Sequence, residues 1–388
     1  MKKVVLSIFG LLAMSLSYGQ NTSTVSQTGN SDNAAVTQTG KNKSTISQKT
    51  TGGVTTALNN DAEVIQTSVV PGMKNESDIK QNGDGNKAKV VQDGNGNDAK
   101  INQGVGYAEN NFAYANQKGD GNTSTQKQRY DNNYATVKQN GNGNTAKQEQ
   151  YSSNNGSASA LATAGANKNK AEIFQGINPS TYTAVNNWAE QMQDGVGNKG
   201  FISQSNKDNE AYQTQEGDIN TATIWQDQIV GGNAILGSDW AKQTQMGNDN
   251  TATVDQGSTG NQHPSDVLAG DIPASFVGVS PVGGHPVLDH GNNNALQTQI
   301  GNSNTAYVSQ GGDDNGSIQY QKGDGNKSYG FQYGNGNRMD STQKGNGNKE
   351  YVLQVGNTNS STLMQSGNNH MSTVLQNGNL NTSTVTQN

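Results

Sequence analysis

The chain has 388 residues, 29% of them hydrophobic and 14% charged, with 49 glycines and a net charge of −6. So little apolar content argues against an ordinary globular core and reads as disorder by composition, whereas Gln/Asn-rich tracts tend to stack into β-aggregates. The absence of any basic block argues against a nucleic-acid partner, and the absence of cysteine excludes disulfides, thiolate metal sites and a lipidated N-terminal Cys.

Residues 1–19 have the form of a signal peptide. Lys2 and Lys3 precede an apolar stretch from Val4 to Leu16, and small residues lead to an expected cut after Gly19. No later stretch is long and apolar enough to predict a transmembrane helix. Residues 20–256 then read as β-solenoid repeats with turn insertions, 257–292 as a loop insertion containing Pro and His, and 293–388 as regular repeats.

The repeat is clearest where it is most regular. Gln299, Gln310, Gln321, Gln332, Gln343, Gln354, Gln365, Gln376 and Gln387 recur every eleven residues. A polar amide at a fixed long interval describes a repeated architecture. Six residues before the Gln stands Asn in 24 of 27 units, which in the regular run gives Asn304, Asn315, Asn326, Asn337, Asn348, Asn359 and Asn381. Four residues before it stands Ala, Ser or Gly in 25 of 27, with Met339 and Glu350 as the exceptions. Asn, a small residue, Val/Ile/Gln and Gln therefore alternate with outward-pointing residues, the period of a strand with one enclosed face. Each Gln is followed by a turn carrying Gly301, Gly312, Gly323, Gly334, Gly345, Gly356, Gly367 or Gly378. Gly supplies a positive φ, and the Asn or Asp beside it is expected to tolerate the left-handed region.

Two residues before the Gln, one set of strands reads Gln126, Gln148, Gln191, Gln213, Gln243, Gln297 and Gln319. The strands between them read Val137, Ile173, Ile202, Ile224, Val254 and Val308. The spacing predicts an all-β, two-sheet solenoid with strand-turn-strand coils of about 22 residues, one sheet lining the interior with Gln and the other with Val and Ile. Stacked amides would satisfy one another along the rod. Longer connections after Gln150, Gln175, Gln226 and Gln256 keep the parity and are expected to be excursions from turns. The last unit, Thr382 to Gln387, is a full consensus strand, so both ends are expected to be uncapped templates for a further molecule, an open head-to-tail contact.

The Asn-x5-Gln unit with Gly in the turn before it, as in Gln343-Lys-Gly-Asn-Gly-Asn348-Lys-Glu-Tyr-Val-Leu-Gln354, resembles the curlin repeat of bacterial curli fibre subunits. The resemblance runs from Asn21 to Gln387. It implies a secreted subunit that polymerises with itself into extracellular, amyloid-type fibres at the cell surface, serving the biofilm matrix and adhesion. It also implies a nucleator subunit, an outer-membrane export pore and secretion chaperones as partners. Rank within the fibre, as major subunit or as nucleator or accessory protein, stays open.

Other patterns carry less. Tyr307, Tyr329 and Tyr351, 22 residues apart, are expected as an outward aromatic ladder, either packing between coils or forming a sticky stripe. His263, His285 and His290 lie in the 257–292 insertion, where their spacing in a Pro/Gly-rich loop is a poor metal pattern. The residues offer no catalytic constellation, so no enzymatic activity, cofactor or metal is expected. A monomeric solenoid that binds carbohydrate or ice is the alternative from another class. Thr221/Thr223 and Thr251/Thr253 hint at it, while Lys327/Tyr329 and Lys349/Tyr351 break the row. Glu350, at an inward small-residue position, is the clear violation of the pattern.

Overall fold

The computed structural model describes residues 20–29, 31–49, 59–68, 73–104, 109–152, 168–176, 184–226, 237–257, 273, 275 and 291–388. The expected signal segment and most of the 257–292 insertion, including its three histidines, lie outside the described residues. The period-two pattern folds as strands, numbered in chain order from β1 (Thr22–Thr28) to β28 (Thr382–Gln387). They form two parallel sheets of fourteen strands, with no α-helix among the described residues. The first sheet runs unbroken over every other strand from β1 to β28. The second runs from β2 (Asn33–Thr39) to β27 (Met371–Asn377), and its remaining member, the two-residue β13 (Ala184–Val185), sits off this path against β10 (Tyr134–Asn142). Consecutive strands of the path thus alternate between sheets, and two of them make one coil: the fold is a β-solenoid, as the sequence predicts.

Register follows the repeat. β20 (Asn294–Ile300) pairs with β22 (Gly316–Lys322) so that Gln299 lies opposite Gln321. In the other sheet, β21 (Thr305–Gly311) and β23 (Lys327–Tyr333) set Gln310 opposite Gln332. Across the longer connections the match survives, with Gln150 opposite Gln193 and Gln245 opposite Gln299. A slip of one residue would turn every enclosed side chain outward, so this register is strongly specified.

The interior departs from expectation in one respect. From β9 (Thr123–Arg129) to β22 the first sheet presents the column Gln126 to Gln319, facing Val137 to Val308 of the second. Outside that stretch, Gly330 and Ser341 apart, both sheets are aliphatic. Ile46, Ile79 and Ile101 of the first sheet pack with Val64 and Val90 of the second, and near the other end Met339 and Leu363 pack with Val352 and Val374. The expectation of a Gln-lined and a Val/Ile-lined sheet is therefore corrected to a property of the central coils. An enclosed amide is best satisfied by an amide on either side, and the column ends where its neighbours are Ile101 and Ser341, leaving Gln126 Oε1 without a partner. It closes at Gln319, whose Nε2 donates to Tyr307 O and Ser328 Oγ. The large residue at the small-residue position Met339 is accommodated by Gly330, where a Cβ would come within 2.4 Å of the Met339 sulfur.

Candidate assembly interface: the amide columns and the end coils

Three sets of amides tie coil to coil. Each ladder Gln donates one Nε2 hydrogen to Oε1 of the Gln one coil further on, as from Gln299 to Gln321, Gln321 to Gln343, Gln343 to Gln365 and Gln365 to Gln387, at 2.8–2.9 Å. The second sheet carries its own column through Gln310, Gln332, Gln354 and Gln376. The other hydrogen crosses to the opposite strand, as from Gln343 Nε2 to Lys327 O and Gln354 Nε2 to Arg338 O. One side chain therefore fixes both the stack and the distance between the sheets. Both donors are satisfied in a region closed to water, where an unmade bond would cost about 1–3 kcal/mol.

The Asn columns do the same for the turns. Asn304 Oδ1 accepts from the backbone N–H of Asn326, and Asn326 Oδ1 from that of Asn348. Asn315, Asn337, Asn359 and Asn381 repeat the pattern on the other edge. Each Nδ2 then donates to a turn carbonyl of the next coil, as Asn304 to Gly323 O at 2.7 Å and Asn315 to Gly334 O at 2.8 Å. His370 replaces Asn without breaking the link below it, because only its backbone N–H is needed to donate to Asn348 Oδ1.

The turn glycines Gly301, Gly312, Gly323, Gly334, Gly345, Gly356, Gly367 and Gly378 all have positive φ. At Gly345 a Cβ would lie 1.9 Å from Gly367 O of the coil above, so the constraint is both conformational and steric. The left-handed residue beside them is not the expected Asn or Asp. It falls one position later, at Ser303, Asp314, Gly325, Gly336, Gly347, Thr358, Asn369 and Leu380. The Asn or Asp between is kept for a different reason: its side-chain oxygen accepts the backbone N–H of the turn below. Asn302 N–H donates to Asp324, Asp324 N–H to Asn346 and Asn346 N–H to Asn368. This third column was missed from the sequence, although the regular Asn/Asp after each turn Gly was its signal.

The tyrosines lie on the outward face of the sheet and pack between coils. Tyr307, Tyr329 and Tyr351 stand opposite one another in register, and the rings of Tyr329 and Tyr351 stack at 5.5 Å. Yet Tyr307 is 7% exposed and Tyr351 3%, too little for an adhesive surface. On the outward face of β21, β23 and β25 (Lys349–Val355), Phe331, Tyr333, Leu353 and Val355 join the tyrosines in a second cluster outside the sheet. The insertion departs at Gly257 from β19 (Thr251–Gln256), the strand paired with β21.

Glu350 is fully buried, and burial pushes its carboxyl up to about 8, with the hydrogen bond from Ser328 pulling the other way. It is held as the acid at neutral pH. Its Oε2 has no partner, and the enclosed residues in register with it, Ser328 and Ser372, carry no charge.

At the two ends the enclosed faces open. All of β1 is exposed, including Val25, and β28 alternates between exposed and half-buried. Among the described residues no group of three or more His, Asp or Glu is placed to hold a metal ion, and no helix is long and apolar enough to cross a membrane. No curated protein matches the chain. The family model that does match, the curlin associated repeat, covers residues 72–104, spanning β5 (Asn75–Asn82), β6 (Lys87–Asp93) and β7 (Asp98–Gln103).

Proposed function

We propose that the chain is a structural subunit of an extracellular, curli-like amyloid fibre, secreted to the cell surface and growing by head-to-tail stacking of solenoid ends. One observation carries this reading: the amide columns run the length of both sheets into end coils that remain open. A β-strand edge with unpaired backbone groups is a template for another chain, and here identical enclosed side chains accompany it. The curlin associated repeat supports the same reading, as that family is structural and tied to extracellular curli fibres. No catalytic role is assigned. A matrix and adhesion role, a nucleator subunit, an export pore and secretion chaperones follow from the family and belong to this proposal.

The test is assembly of purified residues 20–388, followed by thioflavin fluorescence with and without preformed seeds. Seeded growth without a lag is the expected outcome. Replacing Gln343, Gln365 and Gln387 together by Ala should slow elongation severalfold. A monomer that stays soluble through prolonged seeded incubation would overturn the reading.

A further inference from the structure

Among the described residues, and leaving out β13, the ladder holds twenty-seven strands, fourteen in the first sheet and thirteen in the second. The solenoid is therefore thirteen and a half coils, and an odd count constrains how a second copy can add. If β1 of the incoming copy were laid on β28, first sheet on first sheet, β2 would face β27 across a missing strand. The two edges would stand about 9.5 Å apart, twice the strand spacing, with a whole strand's row of N–H and C=O groups unpaired.

Resting on the fibre reading above, we propose that copies of this chain join through a half-turn screw. β1 of the incoming copy adds to β27, and β2 adds to β28, so the first sheet of one subunit continues as the second sheet of the next. No strand position is then empty. Because strands run in opposite directions in the two sheets of a strand-turn-strand coil, a half turn about the rod axis also restores parallel pairing.

The end coils have the symmetry that such a junction needs. At one end the enclosed residues are Ser23, Val25 and Gln27 in β1 and Ala34, Val36 and Gln38 in β2. At the other they are Ser372, Val374 and Gln376 in β27 and Ser383, Val385 and Gln387 in β28. All four strands read small, Val, Gln, so exchanging the sheets costs no match. In the central coils the same exchange would lay Gln126-type residues on Val137-type residues. The sheets are thus alike at the ends where copies have to meet, and unlike in the central coils.

Polarity fits as well. Every Gln-column bond runs from Nε2 of one coil to Oε1 of the next, beginning with Gln27 to Gln48 and Gln38 to Gln66. Among the described residues no hydrogen bond ends on Oε1 of Gln27 or Gln38, while Gln376 and Gln387 form the donor end. The half-turn junction closes both columns, Gln376 onto Gln27 and Gln387 onto Gln38, and excludes head-to-head contact. Direct stacking would improve one contact, setting Asn21 over Asn381 instead of over His370. One hydrogen bond does not outweigh an unpaired strand edge.

The chain has no cysteine, so engineered pairs report the junction cleanly. Thr24, Thr373 and Thr384 are all exposed, and the half-turn places Thr24 opposite Thr373, direct stacking opposite Thr384. Fibres of Thr24→Cys/Thr373→Cys, oxidised after assembly, should give at least about ten times the disulfide-linked multimers of Thr24→Cys/Thr384→Cys, since only adjacent strands meet the Cα separation a disulfide needs. The reverse ratio, equal yields, or no links in either set of fibres overturns the half-turn and leaves the fibre reading standing. Image reconstruction of unsubstituted fibres decides the matter if the variants do not assemble: a rotation near 180° per subunit supports the proposal, and one near 0° overturns it. Failure of the unsubstituted chain to form fibres sinks the fibre reading instead.

Discussion

The central coils, from β9 to β22, and the C-terminal coils, from β23 to β28, share one backbone and a strand-end Gln column in each sheet but set the rest of their interiors by different chemistry. In the centre a second amide column, Gln126 to Gln319, faces Val and Ile. Beyond Ser341 both sheets turn aliphatic, an aromatic cluster forms outside the second sheet, and a lone carboxyl is enclosed at Glu350. The difference separates two jobs. Amide columns are directional and intolerant of a gap, so they specify register; apolar contacts are tolerant and contribute area. Longer connections interrupt the centre repeatedly, at Gln150, Gln175, Gln226 and Gln256, and the register survives them.

This comparison can be broken at its strongest apolar point. Phe331 is fully buried in the outer cluster, and Phe331→Ala should destabilise the subunit by about 3–5 kcal/mol. A denaturant midpoint within error of the parent would show that the outer cluster is not a core.

A reciprocal pair sharpens the contrast. Gln213→Leu leaves Gln191 without an acceptor and Gln243 without a donor, at about 1–3 kcal/mol for each stranded group. In the C-terminal coils Leu363→Gln sets an amide between Ser341 and Val385, where no column exists to receive it. Both changes should lower the denaturant midpoint although they swap the same two residue types. If Gln213→Leu proved stabilising, the central amides would be replaceable filler.

A different kind of effect expected is a pH dependence. Glu350 has a folded-state value near 8 against an ordinary 4.5, so between these values the unfolded chain has released a proton that the folded chain retains. Its contribution is therefore most favourable below about pH 4.5, declines as pH rises to about 8 and is flat above. Glu350→Gln should remove that decline, as read from denaturant midpoints across the range. An unchanged slope would place the titration elsewhere.

Much of this was legible in the sequence, because period-two alternation and an eleven-residue repeat leave few folds open. The strands, the two sheets, the coil of two strands and the Gln and Asn columns follow from Gln299 to Gln387 and the Asn six residues before each. Three features were not legible. The extent of the second Gln column depends on which strands stack, and the units at Ser341 and Leu363 had to be compared with those at Gln319 and Gln297. The left-handed residue in each turn lies one place beyond the Asn or Asp, because that side chain is committed to the neighbouring turn. And the tyrosines alternate outward as expected, yet their exposure depends on Phe331, Leu353 and the rest of the face, which strand period alone does not report.

The central claim, that open solenoid ends stack into one continuous cross-β rod, is tested most directly by X-ray diffraction from aligned fibres of residues 20–388. The account predicts a sharp meridional reflection at about 4.7–4.8 Å along the fibre axis, with the sheet spacing near 10 Å on the equator. Fibres in which the 4.7–4.8 Å reflection lies across the axis, or is absent, would contradict it.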